Sequence, residues 1–377
     1  MSATIDRLVM PKWGMSMTEG KLVQWLVEKG TVLTVGDEVA EVETEKINGV
    51  VEAQSDGTLR RQVVGAGETV PVGALIGIVA DGDVSEDEVQ AVITEFKVPS
   101  PGEGEPEAAG AEPEFVELSG RRLRYLRQGE GDEIVVLVHG FGGDLEGWLF
   151  SQDAFAAEHT VYAVDLPGHG ESSKAVGEGS LSDLASALEE FLDLHGHPRV
   201  HLVGHSLGGA VSASVALARP ERIASLTLLG SAGLGPEIND EYVEGFVHAS
   251  TRRELKPILE LLFADPGLVT RKLVDEVLRN RRLDGAQDAL SAIASRLFPG
   301  GHQTIDLSAG LAGLGLPLLV IWGERDRIIP AEHAANAPQT ATVKVIPSAG
   351  HSPHIEAARE VNRLIGEHIQ AAAAVRG

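Results

Sequence analysis

The 377-residue chain contains no cysteine. No thiol of its own can therefore carry an acyl group, and no disulfide of its own can do redox work. Any sulfur chemistry has to come from a cofactor or a substrate. Positive charge is scarce, with 31 Lys and Arg against 56 Asp and Glu and a formal net charge of −25. Such a surface repels nucleic acid and anionic membrane, which excludes nonspecific binding to either. No apolar run reaches the ~18 residues that a membrane span requires. The start, Met1-Ser2-Ala3-Thr4-Ile5-Asp6-Arg7, lacks the basic flank and apolar stretch of a signal peptide, so a cytoplasmic protein is expected.

The chain is long enough for two or three domains. Residues 1–97 form the first expected unit and carry an internal repeat. An offset of 37 matches Gly20 to Gly57, Leu22 to Leu59, Gly36 to Gly73 and Val42 to Val79. Glycines recur at turns and apolar residues on strands, the mark of a duplicated β-meander. Lys46, in Glu43-Thr44-Glu45-Lys46-Ile47, falls at the joint of the halves. The joint reads as a hairpin, whose tip presents a side chain for modification. Residues 98–114 mix four prolines with Gly, Glu and Ala and read as a flexible linker spanning at most about 55 Å. From Phe115 to Gly377 strands alternate with helical patterns, which predicts an α/β fold. Strands are expected at 115–118, 122–127, 134–138, 161–165, 200–203, 225–229, 318–322 and 343–346, with a helical cap over about 236–313.

Within this second part, Gly204-His205-Ser206-Leu207-Gly208 follows an apolar strand and opens a helix of small residues. The flanking glycines permit a sharp strand-to-helix turn with Ser206 at its apex. A serine hydroxyl needs a base, and the base needs an orienting acid. Asp326, with Glu324 as competitor, and His351, with His354 as competitor, lie in that order just past expected strands. Position favours Asp326 and His351. The oxyanion of acyl transfer calls for two backbone donors. Leu207 N–H is one, and Phe141 N–H, in His139-Gly140-Phe141-Gly142-Gly143, is the other. No metal is expected. The turn Asp165-Leu166-Pro167-Gly168 reads as scaffold.

On these motifs, residues 1–97 resemble a lipoyl domain of the biotinyl/lipoyl-like flattened-barrel type, with Lys46 as the attachment residue. Residues 115–370 resemble an α/β-hydrolase domain. The fusion resembles the dihydrolipoyllysine acetyltransferase components of acetoin dehydrogenase complexes. That resemblance implies covalent lipoate on Lys46 and coenzyme A as co-substrate. It implies acetyl transfer from S-acetyldihydrolipoyl-lysine to coenzyme A by a Ser206–His351–Asp326 triad in acetoin catabolism. The implied partners are a thiamine-diphosphate-dependent acetoin-cleaving dehydrogenase component, dihydrolipoyl dehydrogenase and a lipoyl ligase, in a homo-oligomer within a complex. The chain departs from the acyltransferases of 2-oxo acid dehydrogenases, whose peripheral-subunit-binding domain and chloramphenicol-acetyltransferase-like domain are both missing. Two other readings stay open: a thioesterase, esterase or carbon–carbon bond hydrolase with a lipoyl domain, and a non-catalytic carrier. Arg279, Arg281 and Arg282 lie in a nearly neutral span, 237–296, with nine Arg and Lys against eleven Asp and Glu. They are expected either to hold the phosphates of coenzyme A or to form a solvated helical face.

Lys46 is expected to gain one lipoyl group in a host that has a lipoyl ligase. Intact mass after lipoate feeding checks this, with Lys46→Ala as control; a mass equal to the bare chain contradicts it.

Overall fold

The computed structural model describes residues 4–11, 18–44, 48–82, 84–96 and 112–374. The chain divides into two compact units, Met1–Gly110 and Ala111–Gly377. Lys46 and nearly all of the expected linker lie outside the described residues.

The first unit contains β1 (Thr4–Val9), β2 (Glu19–Trp25), β3 (Val32–Leu33), β4 (Glu38–Glu43), β5 (Asn48–Glu52), β6 (Gly57–Gln62), β7 (Thr69–Pro71), β8 (Leu75–Asp81) and α1 (Glu86–Glu95). Two four-stranded sheets have the orders β1-β8-β6-β3 and β5-β4-β2-β7. The repeat explains this architecture, because a shift of 37 residues carries β2–β4 onto β6–β8. Each sheet borrows one strand from the other half: β7 pairs with β2, and β3 with β6. Matched apolar positions meet in the core, with Leu22, Leu59 and Val42 fully buried and Val79 nearly so. Gly36 and Gly73 both take positive φ at equivalent turns. Helix α1 is absent from the strand pattern. It opens on a reciprocal capping box between Ser85 and Glu88, worth about 1 kcal/mol, a signal readable in Ser-x-x-Glu.

The second unit is an eight-stranded sheet of order β16-β15-β14-β13-β11-β12-β10-β9. Its strands are β9 (Glu114–Leu118), β10 (Arg121–Gln128), β11 (Ile134–Val138), β12 (Thr160–Val164), β13 (Val200–His205), β14 (Ile223–Leu229), β15 (Leu318–Gly323) and β16 (Thr342–Ile346). All eight expected strands are present. Glu114, placed last in the linker by sequence, instead begins β9 opposite Tyr125, whose hydroxyl donates to its carboxylate at 2.9 Å. Strands β11 to β16 run parallel, while β9 and β10 pair antiparallel at one edge. Every residue of β11, β12, β13, β14 and β15 is buried, as continuous apolar runs covered on both faces should be.

The helices are α2 (Leu149–Ala156), α3 (Leu181–His195), α4 (Leu207–Ala218), α5 (Asp240–His248), α6 (Arg252–Leu259), α7 (Arg271–Arg281), α8 (Ala286–Leu297), α9 (Ser308–Ala312), α10 (Pro353–Glu356) and α11 (Ala358–Ala374). Helices α3 and α4 pack together on the sheet, and α2 packs with α11 against β12, β14 and β15. The span between β14 and β15 holds α5–α9. The parallel strands thus send their carboxyl ends into loops that face this insertion, the place where such sheets build sites.

Candidate active site

Strand β13 runs straight into α4 through Ser206, which has φ 53° and ψ −118°. It is the one non-glycine with positive φ among the described residues. The conformation costs of order 1–3 kcal/mol and persists only where neighbours over-determine it. They do: Ser206 N–H donates to Leu229 O at 2.9 Å, and Ser206 O accepts from Gly209 N at 3.0 Å and Ala232 N at 3.1 Å. The turn is also too tight for side chains beside the serine. A Cβ on Gly208 would lie 2.3 Å from the carbonyl oxygens of both Val138 and His139. Ser206 Oγ makes no hydrogen bond among the described residues, which leaves it free to meet a ligand.

Asp326 and His351, 25 residues apart, come together in a buried pair. His351 Nδ1–H donates to Asp326 Oδ2 at 2.7 Å, with the two side chains 1% and 0% exposed. The second carboxylate oxygen accepts from Ile328 N at 2.8 Å and Ile329 N at 2.9 Å, so both oxygens are engaged and the carboxylate cannot swing. This bond leaves Nε2 of a neutral His351 as the lone-pair nitrogen. Glu324, the competing acid, is exposed at the surface. His354, the competing base, is buried between Trp148 and His205, with ring centroids 4.6 Å from each. The His351 loop is fastened to the elbow itself: His205 Nε2–H donates to His351 O at 2.7 Å, and their rings lie 4.7 Å apart.

The loop after β11 approaches the elbow closely, since a Cβ on Gly140 would lie 2.9 Å from Ser206 Cβ. His139 anchors that loop. Its Nδ1–H donates to Gly140 O at 2.8 Å, and its Nε2 accepts from Leu166 N at 3.0 Å. Burial holds its pKa below the ordinary value, which suits an uncharged, doubly bonded ring. Leu207 N–H stands at the first turn of α4, where helices leave donors without intrahelical partners. Phe141 is buried. Neither the Phe141 nor the Leu207 N–H donates a hydrogen bond among the described residues. His139 and His205 carry no motif signal for these anchoring roles beyond their place beside the glycines.

A family model described as alpha/beta hydrolase fold matches residues 133–358, and one described as biotin-requiring enzyme matches residues 6–79. The chain is 47% identical over 369 residues to the dihydrolipoyllysine-residue acetyltransferase component of the acetoin cleaving system of Cupriavidus necator, covering 98% of each chain. It is 48% identical over 361 residues to the protein so named from Pseudomonas putida, covering 95% of this chain and 97% of that one. The chain belongs to this acetyltransferase family. Among solved structures it is similar in fold to a meta-cleavage product hydrolase from Pseudomonas fluorescens, with a TM-score of 0.63 at 22% identity, covering 69% of this chain and 98% of that one.

As a member of the acetyltransferase family the chain is an acyltransferase, and its covalent cofactor is lipoate. The described residues fit such an attachment. Strands β4 and β5, which flank Lys46 in the sequence, pair antiparallel with Glu43 opposite Asn48. No helix among the described residues is long and apolar enough to cross a membrane. The three arginines, expected either to hold phosphates or to form a solvated helical face, have different surroundings. Arg281 is half-buried and donates to Val247 O at 2.6 Å and to Ala249 O, fastening α7 to the end of α5. Arg279 is paired with Glu276 at 3.6 Å. The sequence cluster is divided between an internal clamp and the surface, because successive helical positions point in different directions.

Burial, with the nearby His351 charge, pushes the His354 imidazole down to about 3, and burial holds His205 well below its ordinary range. Both stay neutral in the fold, whereas in the unfolded chain each takes up a proton as pH falls through about 6.5. The unfolded state then binds more protons, so the stability present above about pH 6.5 is lost progressively as pH falls toward 3. Asp144, raised to about 6 chiefly by burial, acts in the opposite direction over about pH 4–6. His354 Nδ1 makes no hydrogen bond that phenylalanine would lose. His354→Phe should therefore make the decline of the melting temperature from pH 6.5 to pH 4 shallower than in the wild type. An unchanged slope contradicts burial of a neutral His354.

Proposed function

We propose that this chain moves an acetyl group from its own lipoyl-lysine to coenzyme A, with Ser206 as nucleophile, His351 as general base and acid, and Asp326 as the group that orients His351. Lipoate held on Lys46 would supply the thiol that carries the acetyl group. Ser206 Oγ attacks the acyl carbonyl while His351 Nε2 takes its proton. The Phe141 and Leu207 N–H groups hold the oxyanion, an interaction worth about 3 kcal/mol of barrier per donor. The carbon–sulfur bond then breaks, and His351 returns the proton to the departing thiolate. In the second half His351 takes the proton of the coenzyme A thiol, whose sulfur attacks the acyl-serine. Ser206 Oγ leaves and regains its proton from His351, and acetyl-CoA is formed. Asp326 stabilises the imidazolium in both halves.

The observation that carries this reading is the buried His351–Asp326 bond, fastened through His205 to an elbow whose serine is held in a strained backbone conformation. The acyl donor rests on the lipoyl-type unit at residues 6–79 and on the relatives' names. We place the enzyme in the cytoplasm, in an assembly with an acetoin-cleaving, thiamine-diphosphate-dependent dehydrogenase component and dihydrolipoyl dehydrogenase. Its lysine is modified there by a lipoyl ligase. The domain limits that go with this reading are 1–97 for the lipoyl domain, 98–113 for the linker and, since Glu114 begins β9, 114–377 for the catalytic domain, with the cap at 236–313.

Ser206→Ala should lower acetyl transfer to coenzyme A by about 10⁴-fold or more, with fold and lipoylation kept. The assay follows acetyl-CoA and free acetate side by side. Acetate as the main product in the presence of coenzyme A would make the chain a hydrolase. Activity of Ser206→Ala within about tenfold of wild type would remove the serine from the mechanism.

A further inference from the structure

The helical insertion reaches into the oxyanion loop at one polar contact. Tyr242, on α5, donates its hydroxyl to Phe141 O at 3.1 Å. The tyrosine is buried, and burial pushes its phenol up, so the hydroxyl remains a protonated donor. Around this bond the fit is tight. The Phe141 ring meets Phe246 of α5 at 5.8 Å and Phe298, just past α8, at 6.0 Å, both edge-to-face. Gly142 has φ 76°, and a Cβ there would lie 2.3 Å from the Phe246 ring. The loop can adopt its course under α5 only because residue 142 is a glycine.

The start of α5 is tied to the loop of the acid. Asn239 caps the helix by accepting from Tyr242 N at 3.0 Å. Its Nδ2 donates to Arg327 O at 2.8 Å, and its backbone N–H to Ile328 O at 2.8 Å. Ile328 N in turn donates to Asp326. One helix of nine residues therefore spans from the Asp326 loop to the oxyanion loop.

We infer that Tyr242 is a positioning residue for acyl transfer: its hydroxyl pins the Phe141–Gly142 peptide, which fixes the backbone at Phe141 and aims the Phe141 N–H at the oxyanion. The inference rests on the reading of Ser206 as nucleophile and Phe141 N–H as oxyanion donor. A hydrogen bond on the carbonyl side of Phe141 restrains rotation of the peptide that follows it, while the Phe246 and Phe298 rings hold its side chain. With the carbonyl released, the loop keeps its packing but loses the restraint on its direction. A misaimed donor raises the barrier to the tetrahedral states and leaves ground-state binding alone.

Tyr242→Phe keeps the ring and deletes the hydroxyl. It should lower kcat for acetyl transfer by about 10- to 100-fold, less than the 10²–10³-fold of losing a donor outright, with KM for coenzyme A unchanged. The acylation burst with 4-nitrophenyl acetate should slow by the same factor. Affinity for an alkyl boronic acid, which forms a tetrahedral adduct on a reactive serine, should weaken in parallel, and the melting temperature should hold. A kcat within about twofold of wild type overturns the inference. A loss of activity with unaltered boronate affinity, or one that follows a fall in melting temperature, overturns it as well, since that is a packing effect. Ser206→Ala is the control for the reading beneath it. If the boronate binds wild type and Ser206→Ala equally well, the nucleophile is misassigned and the inference falls with it.

Discussion

Ser206 at φ 53° is a conformation that glycine takes freely and serine takes at a cost, and the second unit is arranged around sustaining it. The strand before it and the helix after it are buried along almost their whole length, so neither end can relax. Backbone hydrogen bonds to Leu229, Gly209, Ala210 and Ala232 lock the residue between β14 and α4. The glycine at 208 lets the turn sit against the end of β11, which brings the His139–Gly143 loop beside the serine. A serine hydroxyl without a hydrogen-bond partner among the described residues and an unspent helix N-terminal N–H thus arise at one place from one backbone constraint.

The imidazoles around this point share the same physics. His139, His205 and His354 are buried, and that burial holds each imidazole below its ordinary range, while the first two fasten loops by hydrogen bonds and the last packs on Trp148. Only His351 has a carboxylate partner within this group. The insertion completes the surroundings, since Tyr242, Phe246 and Phe298 close over Phe141 while Arg281 and Asn280 tie α7 to α5 and to Asp144. The second unit is thus a general acyl-transfer scaffold, and the lipoyl-type unit on the same chain distinguishes it from free-standing hydrolases of this fold.

What could be read from the sequence was what is local. The inner strands of the second unit are rich in Val, Ile and Leu and bounded by turn residues, and the ends of all eight strands fall within two residues of the pattern. The repeat at offset 37 anticipates the two matching sheets because equivalent residues obey equivalent burial. Ser206 was legible because its glycines stand beside it, and Asp326 and His351 because each follows a strand end. The Tyr242–Phe141 bond was not legible: 101 residues separate its partners, and a tyrosine on an amphipathic helix carries no local sign of what it touches. The inward turn of Arg281 was not legible for the same reason, because proximity along a helix says nothing of which side chain the fold turns inward. Helix α1 was missed although its Ser85–Glu88 cap is written in the sequence, because no strand periodicity points to it.

The central claim is that the acetyl group passes through Ser206 on its way to coenzyme A. Lipoylated protein, charged with acetyl groups in the absence of coenzyme A, should be digested and the peptide bearing Ser206 weighed. The account predicts that this peptide gains one acetyl group and loses it on addition of coenzyme A, with acetyl-CoA formed in an amount equal to the acetyl lost from Ser206 and from the lipoyl arm together. A peptide that stays bare while acetyl-CoA still appears on addition of coenzyme A would contradict it.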